Sequence, residues 1–158
     1  SAFLMSTARY DKFQGLDLRL NVDPGIAMYA LAEEKHKLWF EVGYDFQFDL
    51  RSEDGRDTSE VLTGTRPPKT LVNHAARLFA GYTNNLSKYV TFDTGFEYLQ
   101  SFLVAKRFRM NWVNALTVAL SDRFTLATTF TLRYENQPLP GVRNLDTITS
   151  LLLGVRLI

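Results

Sequence analysis

From Leu38 to Leu50 every second residue is apolar: Leu38, Phe40, Val42, Tyr44, Phe46, Phe48 and Leu50. Between and after them lie Glu41, Gly43, Asp45, Gln47, Asp49 and Arg51, and only Trp39 breaks that polar side. A period of two puts the two sets on opposite faces of a β-strand. One face is oily and rich in aromatics. The other carries carboxylates, an amide and an arginine, which are costly to bury without partners.

The same alternation recurs along the whole chain. It predicts strands over 2–11, 16–30, 38–51, 72–82, 90–98, 108–120, 124–135 and 146–158, with no helix. Pro24 falls inside the second run, where a proline suggests a bulge or an edge. Short turns are expected at 32–36, 83–88 and 121–123. The connections at 12–15, 52–69, 103–106 and 136–144 fall at the opposite end, and two of them are long. The 52–69 segment, charged and containing Pro and Gly, reads as a loop.

Alternation alone does not say which face points outward. Strand length, charge placement and turn lengths together favour the apolar face. Strands of roughly 11–14 residues, at about 3.3 Å rise and ~40° tilt, cover roughly 28–35 Å, enough for an outer-membrane apolar band. Charges of both signs occupy the middle of the polar face, and an eight-stranded interior has no room for the aromatics of the other face. Short turns alternating with longer loops match a barrel with short periplasmic turns and longer external loops. The prediction is an all-β, antiparallel up-and-down transmembrane β-barrel. It forms one domain over 1–158, in the outer membrane of a Gram-negative cell, with both termini periplasmic. Tyr10, Phe48, Phe108 and Tyr134 at the external end, and Tyr82 and Phe124 at the periplasmic end, are expected to form lipid-facing girdles.

Composition narrows the function classes. The 158 residues hold 18 Lys and Arg against 17 Asp and Glu, so there is no basic footprint for nucleic acid. There is no cysteine, hence no disulfide framework and no thiolate chemistry. No apolar run is long enough for a transmembrane helix. No basic segment followed by an apolar stretch opens the chain, which points to a mature or trimmed form.

Three segments carry a family resemblance: ARYDKFQGLDLRLNVDPGIAMYAL (8–31), LWFEVGYDFQF (38–48) and RYENQPLPGV (133–142) with Asp146-Thr147 after it. Together they resemble the DUF481 family of outer-membrane barrels, which includes proteins described as salt-induced outer membrane proteins. The Tyr134–Gly141 loop is the most specific part. The likeness covers essentially the whole chain and the C-terminal part of the family pattern. It implies eight strands here, or eight of about twelve if members carry four more, within the range known for such barrels. It assigns no activity to any residue.

The main constellation is the polar face. Arg9, Asp17, Arg19, Glu41, Asp45, Arg77, Asp93, Glu97, Arg109, Arg133, Glu135 and Arg156 are expected to line the lumen, as a pore lining or as a balanced ion-pair network. For eight strands the network is favoured, because the interior closes on its own side chains. Gly43, Gly81 and Gly95 on that face give either space for a solute or relief for neighbouring arginines. His74 falls on the oily face with no serine and carboxylate nearby, so it reads as an interfacial polar residue, not a catalytic base. His36 reads as a solvated turn residue. No zinc signature, phosphate loop or nucleophile elbow is present, and 52–57 lacks the spacing of a calcium loop. No cofactor or metal is expected.

The expected function is a non-enzymatic outer-membrane barrel with a structural or narrow-pore role. The alternative is an anchored interaction module that docks a partner protein, a second copy or lipopolysaccharide through the 52–69 and 136–144 loops. Arg51, Arg56, Arg66 and Lys69 are the candidate contacts to lipopolysaccharide phosphates.

Overall fold

A computed structural model describes residues 1–155. Eight strands follow one another in an antiparallel meander: β1 (Ala2–Asp11), β2 (Leu16–Ala32), β3 (His36–Arg51), β4 (Thr70–Ser87), β5 (Val90–Ser101), β6 (Phe108–Ala119), β7 (Phe124–Glu135) and β8 (Leu145–Val155). They form a single sheet in the order β1 to β8, each strand bonded to its sequence neighbours. Among the described residues β1 and β8 are not paired to each other, so the sheet is a half-barrel with two edges.

The polar face is the concave one. Its side chains bridge strands that are not neighbours: Arg109 on β6 reaches Asp45 on β3 at 2.9 Å, and Arg19 on β2 reaches Glu135 on β7 at 3.6 Å. Burial is accordingly reversed from that of a water-soluble domain. Among the described residues only Leu16, Ala75 and Leu99 are buried apolar side chains, against ten buried polar or charged residues. The convex face is oily and open: Leu4 is 74% exposed and Val42 is 62% exposed.

The alternating turn lengths hold. One end carries the connections 33–35, 88–89 and 120–123; the other carries 12–15, 52–69, 102–107 and 136–144. Three local expectations are corrected. The segment 52–69 is not a plain loop, because it contains an α-helix, α1 (Glu53–Thr63). Ser52 caps it by accepting the Gly55 N–H at 3.1 Å, Glu53 and Asp54 sit in its first turn, and Gly64 closes it in the left-handed region. Its apolar residues Val61 and Leu62 are exposed, so no buried stripe announces it in the sequence.

The connection expected at 12–15 is present, as a single 3-10 turn, Lys12–Gln14. The turn foreseen at 83–88 lies inside β4, which continues to Ser87 through a register shift between Asn85 and Ser87. Pro24 causes no register shift and does not make β2 an edge: it pairs with Leu4 of β1, while the ladder to β3 skips Asp23 and Pro24 and resumes in the same register at Gly25, and the shifts fall between Leu16 and Leu18 and between Tyr29 and Leu31 instead.

Candidate functional site

The concave face is layered along the barrel axis. Nearest the short turns lies an aromatic layer. Trp39, Phe79 and Phe3 project inward, and each covers a glycine of an adjacent strand: Gly81, Gly95 and Gly25 respectively. A Cβ on Gly81 would stand 2.2 Å from the Trp39 ring, and one on Gly25 would stand 2.4 Å from the Phe3 ring. The inward glycines therefore make room for aromatics rather than for arginines. Gly43 differs: a Cβ there would meet the Pro24 carbonyl at 2.7 Å. Trp39, the exception in the alternating pattern, also donates Nε1–H to Glu41 Oε1 at 3.0 Å.

The next layer is a network of ion pairs. Arg77 donates to Glu41 at 2.7 Å and to Glu97 at 2.6 Å, and its guanidinium lies 5.3 Å from the Phe79 ring centre. Asn111 adds a hydrogen bond to Glu97 at 2.7 Å. Above it Arg109 and Asn21 share Asp45, whose side chain is 1% exposed. Higher still, Arg19 grips Asp49 through two bonds of 2.7 Å, a bidentate geometry that is the strongest available to this pair. Gln47 donates to the same carboxylate at 2.8 Å.

Most of the residues singled out in the sequence meet here. Arg19, Glu41, Asp45, Arg77, Glu97, Arg109 and Glu135 form the network. Asp93 lies on the same face toward the short turns and accepts from Thr83 Oγ1 at 2.6 Å. Arg9 and Arg133 line the upper cavity described next. Asp17 does not line the lumen: it is exposed, in the irregular step between Leu16 and Leu18 that turns its side chain away from the concave face. Arg156 lies outside the described residues.

Asp49, Asp23 and Asn73, not singled out in the sequence, are buried on the same face, and so is Arg51, expected as an external contact. The signal was present, since Asp49 and Arg51 continue the polar side of the alternating run. Asp23 and Asn73 likewise fall on the polar side of their strands.

At the long-loop end the network opens into a cavity of about 60 Å³. Its walls come from the ends of β1, β2, β3, β4, β6 and β7 and from the 12–15, 102–107 and 136–144 connections. Seven arginines and two carboxylates line it. The helix α1 braces the loops around it. Gly55 packs so closely on Gly15 that a Cβ would stand 2.8 Å from the Gly15 Cα, and the buried Ser59 donates to the Gly55 carbonyl at 2.8 Å and to the Pro140 carbonyl at 3.3 Å. The external cations are largely engaged: Arg66 pairs with Glu53, Asp57 and Glu60, Arg56 pairs with Glu53, and Arg51 is buried.

The aromatic residues expected at the strand ends lie on the convex face. Phe108 sits between Tyr98 and Tyr134, with ring centres 5.9 and 5.8 Å away, and Tyr10 is exposed at the end of β1. Phe48 pairs in register with Val72 at the same end. At the short-turn end Phe124 is exposed, and the Tyr82 hydroxyl meets His36 Nδ1 at 2.8 Å. His74 is also on this face, hydrogen-bonded to the Tyr44 hydroxyl. No group of three or more possible metal ligands occurs among the described residues, and no described helix is long and apolar enough to cross a membrane.

A family model described as a protein of unknown function, DUF481, matches residues 1–157. No curated protein and no solved structure matches the chain.

Proposed function

The chain belongs to the DUF481 family, and from that premise we propose that it is an integral β-barrel of the Gram-negative outer membrane, with a structural or narrow-pore role and no enzymatic activity. One observation carries the reading: the concave face is a hydrogen-bonded ionic network while the convex face is largely apolar. In water an exposed apolar surface of that extent would drive association. In a bilayer it is the surface that lipid requires, and the aromatics at its two ends fit the headgroup levels. Both termini then lie on the periplasmic side, with the short turns, and the α1 and 136–144 segments lie outside.

Lipid sets one further condition. Unpaired strand edges cost several kcal/mol per unsatisfied group in hydrocarbon. The free edges of β1 and β8 must therefore be closed in the membrane, on each other or through additional strands. An eight-stranded closure leaves the ionic network filling the lumen, whereas about twelve strands would leave a channel beside it.

Refolding into phosphatidylcholine liposomes tests the reading. Insertion is expected, with heat-modifiable mobility on electrophoresis and protease resistance of the strands; a chain that stays outside the vesicles would overturn it. Discrete steps in planar-bilayer conductance would favour the channel form over the filled one. The second reading is docking of a partner protein, a second copy or lipopolysaccharide through 52–69 and 136–144. It is favoured by the ordered packing of α1 on the 136–144 loop, which makes one surface of two segments. For lipopolysaccharide it is weakened by the engagement of Arg56 and Arg66 with helix carboxylates.

A further inference from the structure

We propose that the arginine-lined cavity beneath the 136–144 loop binds a small oxyanion of the phosphate class. The two carboxylates that line it are already taken. Asp49 is held by both bonds from Arg19, and Glu135 lies 3.6 Å from the same guanidinium. Arg109 is engaged with Asp45. Around the remaining space stand Arg9, Arg51, Arg107, Arg133 and Arg143.

Their compensation within the protein is poor. Arg9 has Asp11 at 4.0 Å and donates one Nη2–H to Gln14 at 2.6 Å. Arg51 donates to the carbonyl of Pro68 at 3.3 Å. Arg107, Arg133 and Arg143 have no carboxylate within 4.0 Å among the described residues, although Asp146 stands opposite Arg133 in the strand register. The Nε–H groups of Arg9 and Arg107 are shut off from solvent and have no hydrogen-bond partner in the protein. A buried charged donor left unpaired costs at least ~1–3 kcal/mol, so a ligand that accepts from it gains that much selectively.

The chemistry of the ligand follows from the donors and the space. Guanidinium forks match carboxylate and phosphate oxygens two at a time, which a spherical halide cannot exploit. Donors converge from β1, β3, β7 and the 102–107 and 136–144 connections, so an ion with oxygens in several directions suits them better than a planar one. The cavity, at about 60 Å³, exceeds the ~10–15 Å³ that one water needs. The inference uses only the concave face and its covering loop. It stands or falls separately from what the convex face contacts.

The test is calorimetric titration of the full chain, folded in detergent micelles, with sodium phosphate against sodium chloride at matched ionic strength. Saturable binding of phosphate, not reproduced by chloride, is expected. Arg133→Gln and Arg143→Gln should each weaken it by about tenfold or more, as loss of a charge-assisted bond implies. Lys88→Gln, at the opposite, short-turn end of the sheet, should bind as the parent does. Arg143 is exposed, so its replacement reads binding without a folding penalty. Doping the micelles with phosphatidylglycerol distinguishes the source: displacement of phosphate assigns the site to a headgroup, and no displacement assigns it to the free ion. Equal heats for phosphate and chloride, or parental affinity in Arg143→Gln, would overturn the proposal.

Discussion

Trp39 on β3 stands directly opposite Gly81 on β4, and its indole lies over the glycine where a side chain would otherwise be. The contact fixes the register of two strands and walls the lumen near the short turns. Gly81→Ala would place a methyl 2.2 Å from the ring and force it to move. Overpacking of this kind costs ~1–3 kcal/mol. Gly154→Ala, where the nearest atom is at 3.6 Å, should stay within about ±0.5 kcal/mol. Urea unfolding in micelles measures both. The pair Trp39→Ala with Gly81→Ala should cost less than the sum of the two, because removing the indole removes the clash.

The bidentate pair of Arg19 and Asp49 makes a sharper demand. Its side chains are only 7% and 2% exposed. Arg19→Met leaves Asp49 buried without its main partner, which costs ~3–5 kcal/mol. Arg19→Met combined with Asp49→Leu removes both charges and should recover most of that loss. A double variant as unstable as Arg19→Met alone would mean that Asp49 serves Gln47 and the rest of the network more than it serves Arg19.

The period-two pattern was enough to place all eight strands and to sort most of their residues into two faces, because a strand with one ionic and one oily face repeats its signal at every second residue. It was not enough for α1. That helix buries no apolar stripe and is held by a serine cap, a glycine contact and surface charges, none of which has a period. Asp17 was misplaced for a related reason: a one-residue irregularity in β2 turns its side chain to the other face, and alternation presumes that no such step occurs. The glycine–aromatic layer was legible as an oddity, in Trp39 and in Gly43, Gly81 and Gly95. Its meaning needed the cross-strand register, which no single strand contains.

The charged cluster beneath α1 gives a pH response. The Arg66 guanidinium, hydrogen-bonded to Glu53, holds that carboxyl below its usual range, with Arg56 and Lys69 adding to the effect. A depressed folded-state pKa contributes stability above the unfolded value and loses it as pH falls through the folded one. The first turn of α1 should therefore stay anchored at neutral pH and loosen only below the ordinary carboxylate range. A spin label at the exposed Val61 position should report the sharpening of its spectrum on acidification. Arg66→Gln should show the mobile spectrum already at neutral pH; an immobile label in that variant would assign the anchoring to the Gly15 and Pro140 contacts instead.

The orientation of the sheet is tested at Val42. It lies in the middle of β3, pointing away from the lumen between Glu41 and Gly43, and is 62% exposed. In water a surface position of this kind tolerates a charge within about ±0.5 kcal/mol. Facing the bilayer midplane, an arginine there costs ~2–4 kcal/mol. Val42→Arg should therefore lower the folding equilibrium constant in liposomes by one or more orders of magnitude, since ~1.4 kcal/mol is a factor of ten, and so move the urea midpoint down. Val42→Leu should fold as the parent does. The readout is the fraction showing heat-modifiable mobility after refolding across a urea series. Equal folding of Val42→Arg and the parent in lipid would place the convex face in water and reject the membrane reading.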